Sequence, residues 1–135
     1  MPDELVSTAQ LAEVTHVPMN YLAKVLQLLA KAELITGRRG VGGGYRLRRS
    51  SKEISLMDVV NAIDPIERIS ICPLGHENHG TNLCPLHSRL DQAHKTIIDL
   101  FSSITLHGML SENPETRPLC NAEMTTRVDL TFGKT

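Results

Sequence analysis

The sequence predicts a mainly α protein with one small β-hairpin, and three observations carry that expectation. Leu22, Val25, Leu26 and Leu29 fall at i, i+3, i+4 and i+7, the spacing of a single helical face. Residues 38–49, RRGVGGGYRLRR, place four glycines within five positions between the short β-prone runs Leu34-Ile35-Thr36 and Tyr45-Arg46-Leu47. Leu86, Leu90, Ala93, Ile97, Leu100 and Ile104 recur in alternating steps of four and three, a heptad seam along one long helix. Trp is absent and aromatics make up 3% of the 135 residues, so Leu, Ile and Val must build the core.

Taken in order, Ser7 and Gln10 form a capping box for a helix over residues 8–14, buried through Leu11 and Val14. After a linker, Pro18 suits the first turn of a second helix that runs to about Ala32. Asn20, Ala23, Lys24, Gln27 and Lys31 lie on its polar side. Two helices joined by a short turn, the second polar outside, form a helix-turn-helix pattern. The hairpin follows as a wing, its glycines supplying positive φ at the tip. Ser55 and Asp58 cap a third helix carrying Leu56, Val59, Val60 and Ile63, which Asp64-Pro65 stops. Residues 72–84, CPLGHENHGTNLC, read as a polar loop, and the heptad helix after it is expected to end near Gly108. That seam is too long for so small a domain to cover, so it is expected to pack on its twin. The divisions are therefore 1–66, a winged helix-turn-helix unit; 67–87, a Cys/His loop; 85–110, a dimerisation helix; and 111–135, a loosely attached tail.

Net charge is −1, but its distribution is uneven. Residues 1–52 carry 8 Lys/Arg against 4 Asp/Glu, a balance of +4, and residues 53–135 carry 6 against 11, a balance of −5. That asymmetry points to a polyanion partner for the N-terminal part. No apolar stretch approaches a membrane span and no signal-peptide pattern opens the chain, so a cytoplasmic protein without membrane contact is expected. In that compartment Cys72, Cys84 and Cys120 suit metal binding, redox chemistry or burial better than structural disulfides.

The glycine segment is not a nucleotide loop. A Walker-type loop needs Lys-Ser/Thr after its last glycine, whereas Tyr45-Arg46 follows Gly44, and a dinucleotide fingerprint needs glycine at Tyr45. Six basic residues between Arg38 and Lys52 suit double-stranded DNA instead. The second helix would present Asn20, Lys24 and Gln27 in a major groove, with Pro18 and Tyr21 near the backbone. Arg38 or Arg39, on the slim tip around Gly42, would enter the adjacent minor groove. Arg46, Arg48, Arg49 and Lys52 would hold phosphates, a contribution that salt weakens.

The stretch STAQLAEVTHVPMNYLAKVLQLLAKAELITGRRGVGGGYRL, with ISLMDVVNAID after it, resembles the Rrf-two family of bacterial winged-helix transcription regulators from about Ser7 to about Leu110. The resemblance implies a homodimer on a palindromic or pseudo-palindromic operator, joined through the long C-terminal helix and expected to act as a repressor. It puts Asn20 and Lys24 at recognition-helix positions and matches Arg39 to the wing arginine of the minor groove. Ala23 stands where one relative has a base-reading acidic residue, so that relative's specificity does not carry over. Family members usually carry a further helix ahead of the segment that starts here at Met1, so either the start is truncated or another element is expected to cover the apolar face that helix would meet.

Cys72, Cys84 and His87 form C-x11-C-x2-H, a soft-to-borderline donor set. Cluster-binding relatives carry three evenly spaced cysteines here; the outer two and the histidine match, and Asn78 takes the middle position, flanked by His76 and His79. The expected readings are a [2Fe–2S] cluster on Cys72, Cys84 and His87, with His76 or His79 as substitutes, that senses redox state, nitric oxide or iron; a cluster-free thiol or zinc switch; or a structural loop. A metal- or thiol-dependent enzyme lacks a motif-positioned base and a cofactor fingerprint, so no catalytic residues are expected. Cys120, His16, His94 and His107 have no ligand-like company.

Overall fold

In the computed structural model the described residues are 4–71, 74 and 83–116. They form α1 (Thr8–Thr15), α2 (Met19–Lys31), β1 (Ile35–Arg38), β2 (Gly44–Leu47), α3 (Leu56–Ile63), α4 (Pro85–Ser103) and α5 (Leu106–Glu112), then a 3₁₀ turn at Pro114–Thr116. The mainly α architecture with a two-stranded antiparallel wing is the one the sequence predicts.

Each short helix starts where its cap dictates. Ser7 Oγ accepts from the Gln10 amide at 3.2 Å while Gln10 Oε1 accepts from the Ser7 amide at 2.9 Å. Ser55 and Asp58 repeat the exchange at 3.0 and 2.9 Å ahead of α3. His16, at φ 56°, ends α1 in the left-handed region, and Pro18 lies at the N-cap of α2, one residue before the expected start. Glu33, at φ 61°, turns the chain out of α2 while Leu34 donates back to the Leu29 carbonyl at 3.1 Å.

Leu22 and Leu26 of α2 pack with Ile35 of β1 in a core that Leu11, Val17, Leu29, Tyr45 and Leu47 flank. Ile54, with no exposed surface, seals the side toward α3. An apolar cavity of about 300 Å³ opens into this core, lined by Leu11, Leu22, Leu26, Tyr45, Ile54 and Leu106 among others. The strands pair from Ile35↔Leu47 to Arg38↔Gly44, so they run closer to the tip than residue preferences suggest. Gly37 and Arg38 are poor strand formers alone, but cross-strand hydrogen bonding carries them into the ladder. Val6 adds a bridge on the far side of β2, exchanging bonds of 2.9 and 2.8 Å with Tyr45.

The C-terminal region departs from the expected single helix ending near Gly108. α4 stops at Ser103, and Gly108 lies inside α5. Ile104 and Thr105 are β-branched and extended; the Ile104 carbonyl accepts from Leu56 at 2.9 Å, and Leu106 donates to the Ile54 carbonyl at 2.9 Å. Thr105 Oγ1 accepts from the Gly108 amide at 3.0 Å and caps α5. Two tertiary backbone bonds and a cap therefore break a helix that heptad spacing alone would continue. Of the predicted tail, residues 111–116 complete α5 and the 3₁₀ turn, and the rest lies outside the described residues.

Candidate nucleic-acid interface and cysteine–histidine site

The first candidate surface is built from α2 and the wing. Burial of Leu22 and Leu26 turns the opposite side of α2 outward, and Asn20, Lys24, Gln27 and Lys31 are all exposed there. Ala23 is half-buried beside them. Pro18 and Tyr21 lie exposed at the N-terminal end, Tyr21 at 63%.

At the wing tip the four glycines serve two different needs. Gly40 and Gly42 have φ of 97° and 75° with open space around them, so conformation alone requires them. Gly43 and Gly44 are required by space: a Cβ at Gly43 would lie 2.2 Å from the Arg38 carbonyl oxygen, and one at Gly44 2.4 Å from that of Val6. The Gly43 amide donates to the Gly40 carbonyl at 3.0 Å, which closes the turn and leaves Val41 fully exposed at its apex.

Arg38 and Arg39 line an open depression of about 500 Å³, mixed polar and apolar, together with Ser7, Thr8, Ala30 and Gly37. Ala30, three residues after Gln27, is the residue of α2 that lines this depression, so the wing arginines lie near the last turn of α2. Among the described residues Lys24, Arg38 and Arg39 have no ion-pair partner. Arg48 pairs with Glu33 at 3.3 Å and Arg49 with Asp58 at 3.9 Å, both half-exposed. Arg46 lies exposed on β2, opposite Thr36.

The second candidate site sits at the start of α4. Cys84 is the N-cap residue, with Pro85 opening the helix, and its Sγ lies 3.2 Å from His87 Nδ1. Two soft-to-borderline donors at this separation suit a shared tetrahedral centre, whose ligand atoms stand roughly 3.5 Å apart for bonds of about 2.0–2.3 Å. The pair therefore fits half of a cluster or zinc site. Cys72, His76 and His79, expected to complete it, lie outside the described residues, as do Asn78 and Cys120. Among the described residues no three metal donors cluster.

The segment between α3 and the cysteine loop is fastened to α4 by Arg68 and Asp91, which sequence reading did not single out, and by His94, which it set aside as a ligand. Arg68 grips Asp91 bidentately at 2.7 and 2.6 Å, and the Ile69 amide donates to Asp91 Oδ1 at 2.9 Å. His94 Nδ1 donates to the Glu67 carbonyl at 2.8 Å, which gives this histidine a structural task. The Arg68 hydrogen bonds hold the Asp91 carboxyl down at about 2, against a partial burial that pushes it up, and the Ile69 amide adds to them. Asp91 in turn raises the Arg68 pKa. A spacing of 23 residues carries no local signal for this pairing.

A family profile described as an iron-dependent transcriptional regulator, Rrf2, matches residues 1–112 of this winged chain. The chain belongs to the Rrf2 family. It is 31% identical over 108 residues to the HTH-type transcriptional regulator IscR of Vibrio vulnificus, covering 80% of this chain and 64% of that protein. Curated relatives first matched are spanned over only 38 to 64% of their length. Among solved structures, T. potens IscR superposes with a TM-score of 0.66 at 24% identity, over 90% of this chain and 80% of that one. CymR, the global cysteine regulator of B. subtilis, does so with 0.63 at 20% identity, over 82 and 81%. At these identities the two structures speak for the fold, and the Rrf2 match names a group of transcription regulators, not of enzymes. No helix among the described residues is long and apolar enough to cross a membrane.

Proposed function

We propose that this Rrf2 protein is a homodimeric, DNA-binding transcription regulator that acts as a repressor at a palindromic or pseudo-palindromic operator. The observation that carries the reading is an exposed Asn20, Lys24, Gln27 and Lys31 stripe on α2 together with wing arginines, without an ion-pair partner among the described residues, that line a depression reaching the last turn of the same helix. In this reading α2 lies in a major groove, where Asn20 and Gln27 offer amide donors and acceptors to base edges. Pro18 and Tyr21 approach the backbone, and Lys24 adds a cation. Arg39, with Arg38 beside it, enters the neighbouring minor groove on a tip that Gly42 keeps slim. Arg46, Arg48 and Lys52 face phosphates.

Dimerisation through α4 is supported by its seam: Leu86, Leu90, Ile97 and Leu100 remain 64, 43, 37 and 54% exposed, and no residue of α4 is buried. A second copy covering this stripe removes it from water.

Sensing is proposed at Cys84 and His87, completed by Cys72 with His76 or His79 in reserve. A [2Fe–2S] cluster bound there would supply a centre responsive to redox state, nitric oxide or iron supply. What the chain itself contributes is position: Cys84 is the cap of α4, so any new bond to its Sγ acts on the first turn of the proposed dimer helix. The 3.2 Å thiol–imidazole pair also supports a second reading, a cluster-free thiol or zinc switch. Anaerobic purification with iron and sulfide analysis separates the two: a brown, iron-containing protein supports the cluster, and colourless protein supports the switch.

Gel-shift titration at two salt concentrations tests DNA binding. A sequence-specific complex that weakens steeply with salt is expected; absence of binding to any duplex at low salt overturns the reading.

A further inference from the structure

α4 is attached to the winged unit in an unusual way for a helix of 19 residues, because none of its side chains is buried. Its hydrogen-bonded attachments lie at two places. At the C-terminal end, backbone hydrogen bonds join Ile104 to Leu56, Leu106 to Ile54 and His107 to Ser51, each within 3.0 Å. Thirteen residues earlier, Asp91 holds Arg68 and the Ile69 amide while His94 holds the Glu67 carbonyl. Between them α4 packs against α3, and its Ile98 and Phe101 are half-buried.

The two mounts differ in kind. The C-terminal one is main chain to main chain, next to fully buried Ile54, and cannot open without disturbing the core. The other is made by side chains on one partner: Asp91 is only 14% exposed, but Arg68 is 50% exposed, so water can reach and replace the guanidinium. An arm held by a fixed joint at one end and a releasable clasp part-way along can swing about the joint.

We propose that the Arg68–Asp91 clasp sets the tilt of α4 relative to the winged unit, with Ile104–Thr105 as the pivot. The proposal rests on the dimer reading for its consequence, since α4 would carry the partner. The helix spans about 20 Å from Asp91 to the pivot and about 30 Å from Cys84 at 1.5 Å per residue, so a rotation of about 10° would move Cys84 by about 5 Å. In a dimer joined through α4, the same rotation alters the separation of the two α2 helices. Arg68 and Asp91 are positioning residues in this account and touch neither DNA nor any sensed group. The clasp lies seven residues along α4 from Cys84.

The test is made on the full chain in solution. Residual dipolar couplings give the α3–α4 angle, and hydrogen exchange reports the Ile69 amide, for the wild type, Asp91→Ala and Arg68→Lys. Both variants are expected to shift or average the angle by about 10° or more while the α1–α2 angle stays fixed, with Ile69 exchange at least tenfold faster in Asp91→Ala. An unchanged angle in both variants overturns the proposal, whatever Ile69 does. Unfolding of Asp91→Ala with an unchanged angle in Arg68→Lys overturns it as well, because the clasp then serves stability alone. These readouts need no DNA, so their failure is distinct from failure of the operator-binding reading. Where the wild type binds an operator, the variants should also change the preferred half-site spacing.

Discussion

The α-carbon of Gly44 faces the carbonyl of Val6 so closely that a methyl group there would stand 2.4 Å from its oxygen. This contact lets the segment before α1 bridge to β2, and it ties the wing to the helical unit. Gly44→Ala is therefore expected to destabilise by about 1–3 kcal/mol, since the neighbour is backbone and cannot rotate away. Gly42→Ala, which meets nothing within 4 Å, is expected to cost only about 1 kcal/mol, the strain of its positive φ. Urea unfolding of the two variants checks the order; equal losses would contradict this assignment of the glycines.

Lys24 and Arg39 are expected to separate in salt titrations of DNA binding. If both contact the duplex, each alanine variant lowers the slope of log K against log salt by about 1. Asn20→Ala should leave that slope unchanged and instead reduce discrimination between operator and unrelated duplex, by about 1–3 kcal/mol.

Ile54 is the most enclosed side chain described, at 0% exposure between α3 and the start of α5. Ile54→Ala is expected to lose about 2–5 kcal/mol, a large share of the stability of a domain this size. Thermal unfolding followed by circular dichroism measures it. A loss under 1 kcal/mol would mean the site collapses into the adjoining cavity.

Thr105 caps α5 through its hydroxyl, so Thr105→Val should cost about 1 kcal/mol while Thr105→Ser costs a few tenths. Chemical denaturation of both variants is sufficient.

Asp91 is held at about 2, below its ordinary 3.8. A carboxyl depressed by folding stabilises the fold above its unfolded pKa and loses that contribution as pH falls through the folded value. The stabilisation from the Arg68–Asp91 contact should therefore be complete above the ordinary 3.8 and decline below it, with the contact itself breaking only as pH falls through about 2. The carbon shift of the Asp91 carboxyl, followed by NMR, should titrate near 2 rather than near 4.

Several features were legible without coordinates because their causes are local. Ser7 with Gln10 and Ser55 with Asp58 announce helix starts, since cap and partner are three residues apart. The Leu22–Leu29 stripe fixes which side of α2 faces outward, so Asn20, Lys24 and Gln27 could be named from spacing. The glycine run identified a wing tip, but not that Gly40 and Gly42 answer to conformation, Gly43 to crowding and Gly44 to both.

Tertiary structure decided what depends on distant partners. The break at Ile104 arises because Ile54 and Leu56 hydrogen-bond to that stretch, whereas heptad spacing reads only along the helix. The Arg68–Asp91 clasp joins residues with no periodic relation, so no pattern in the chain could foretell it. Local backbone and side-chain preferences act over a few neighbours and specify the elements. Where α4 ends and what it is tied to were settled by hydrogen bonds that exist only once those elements meet.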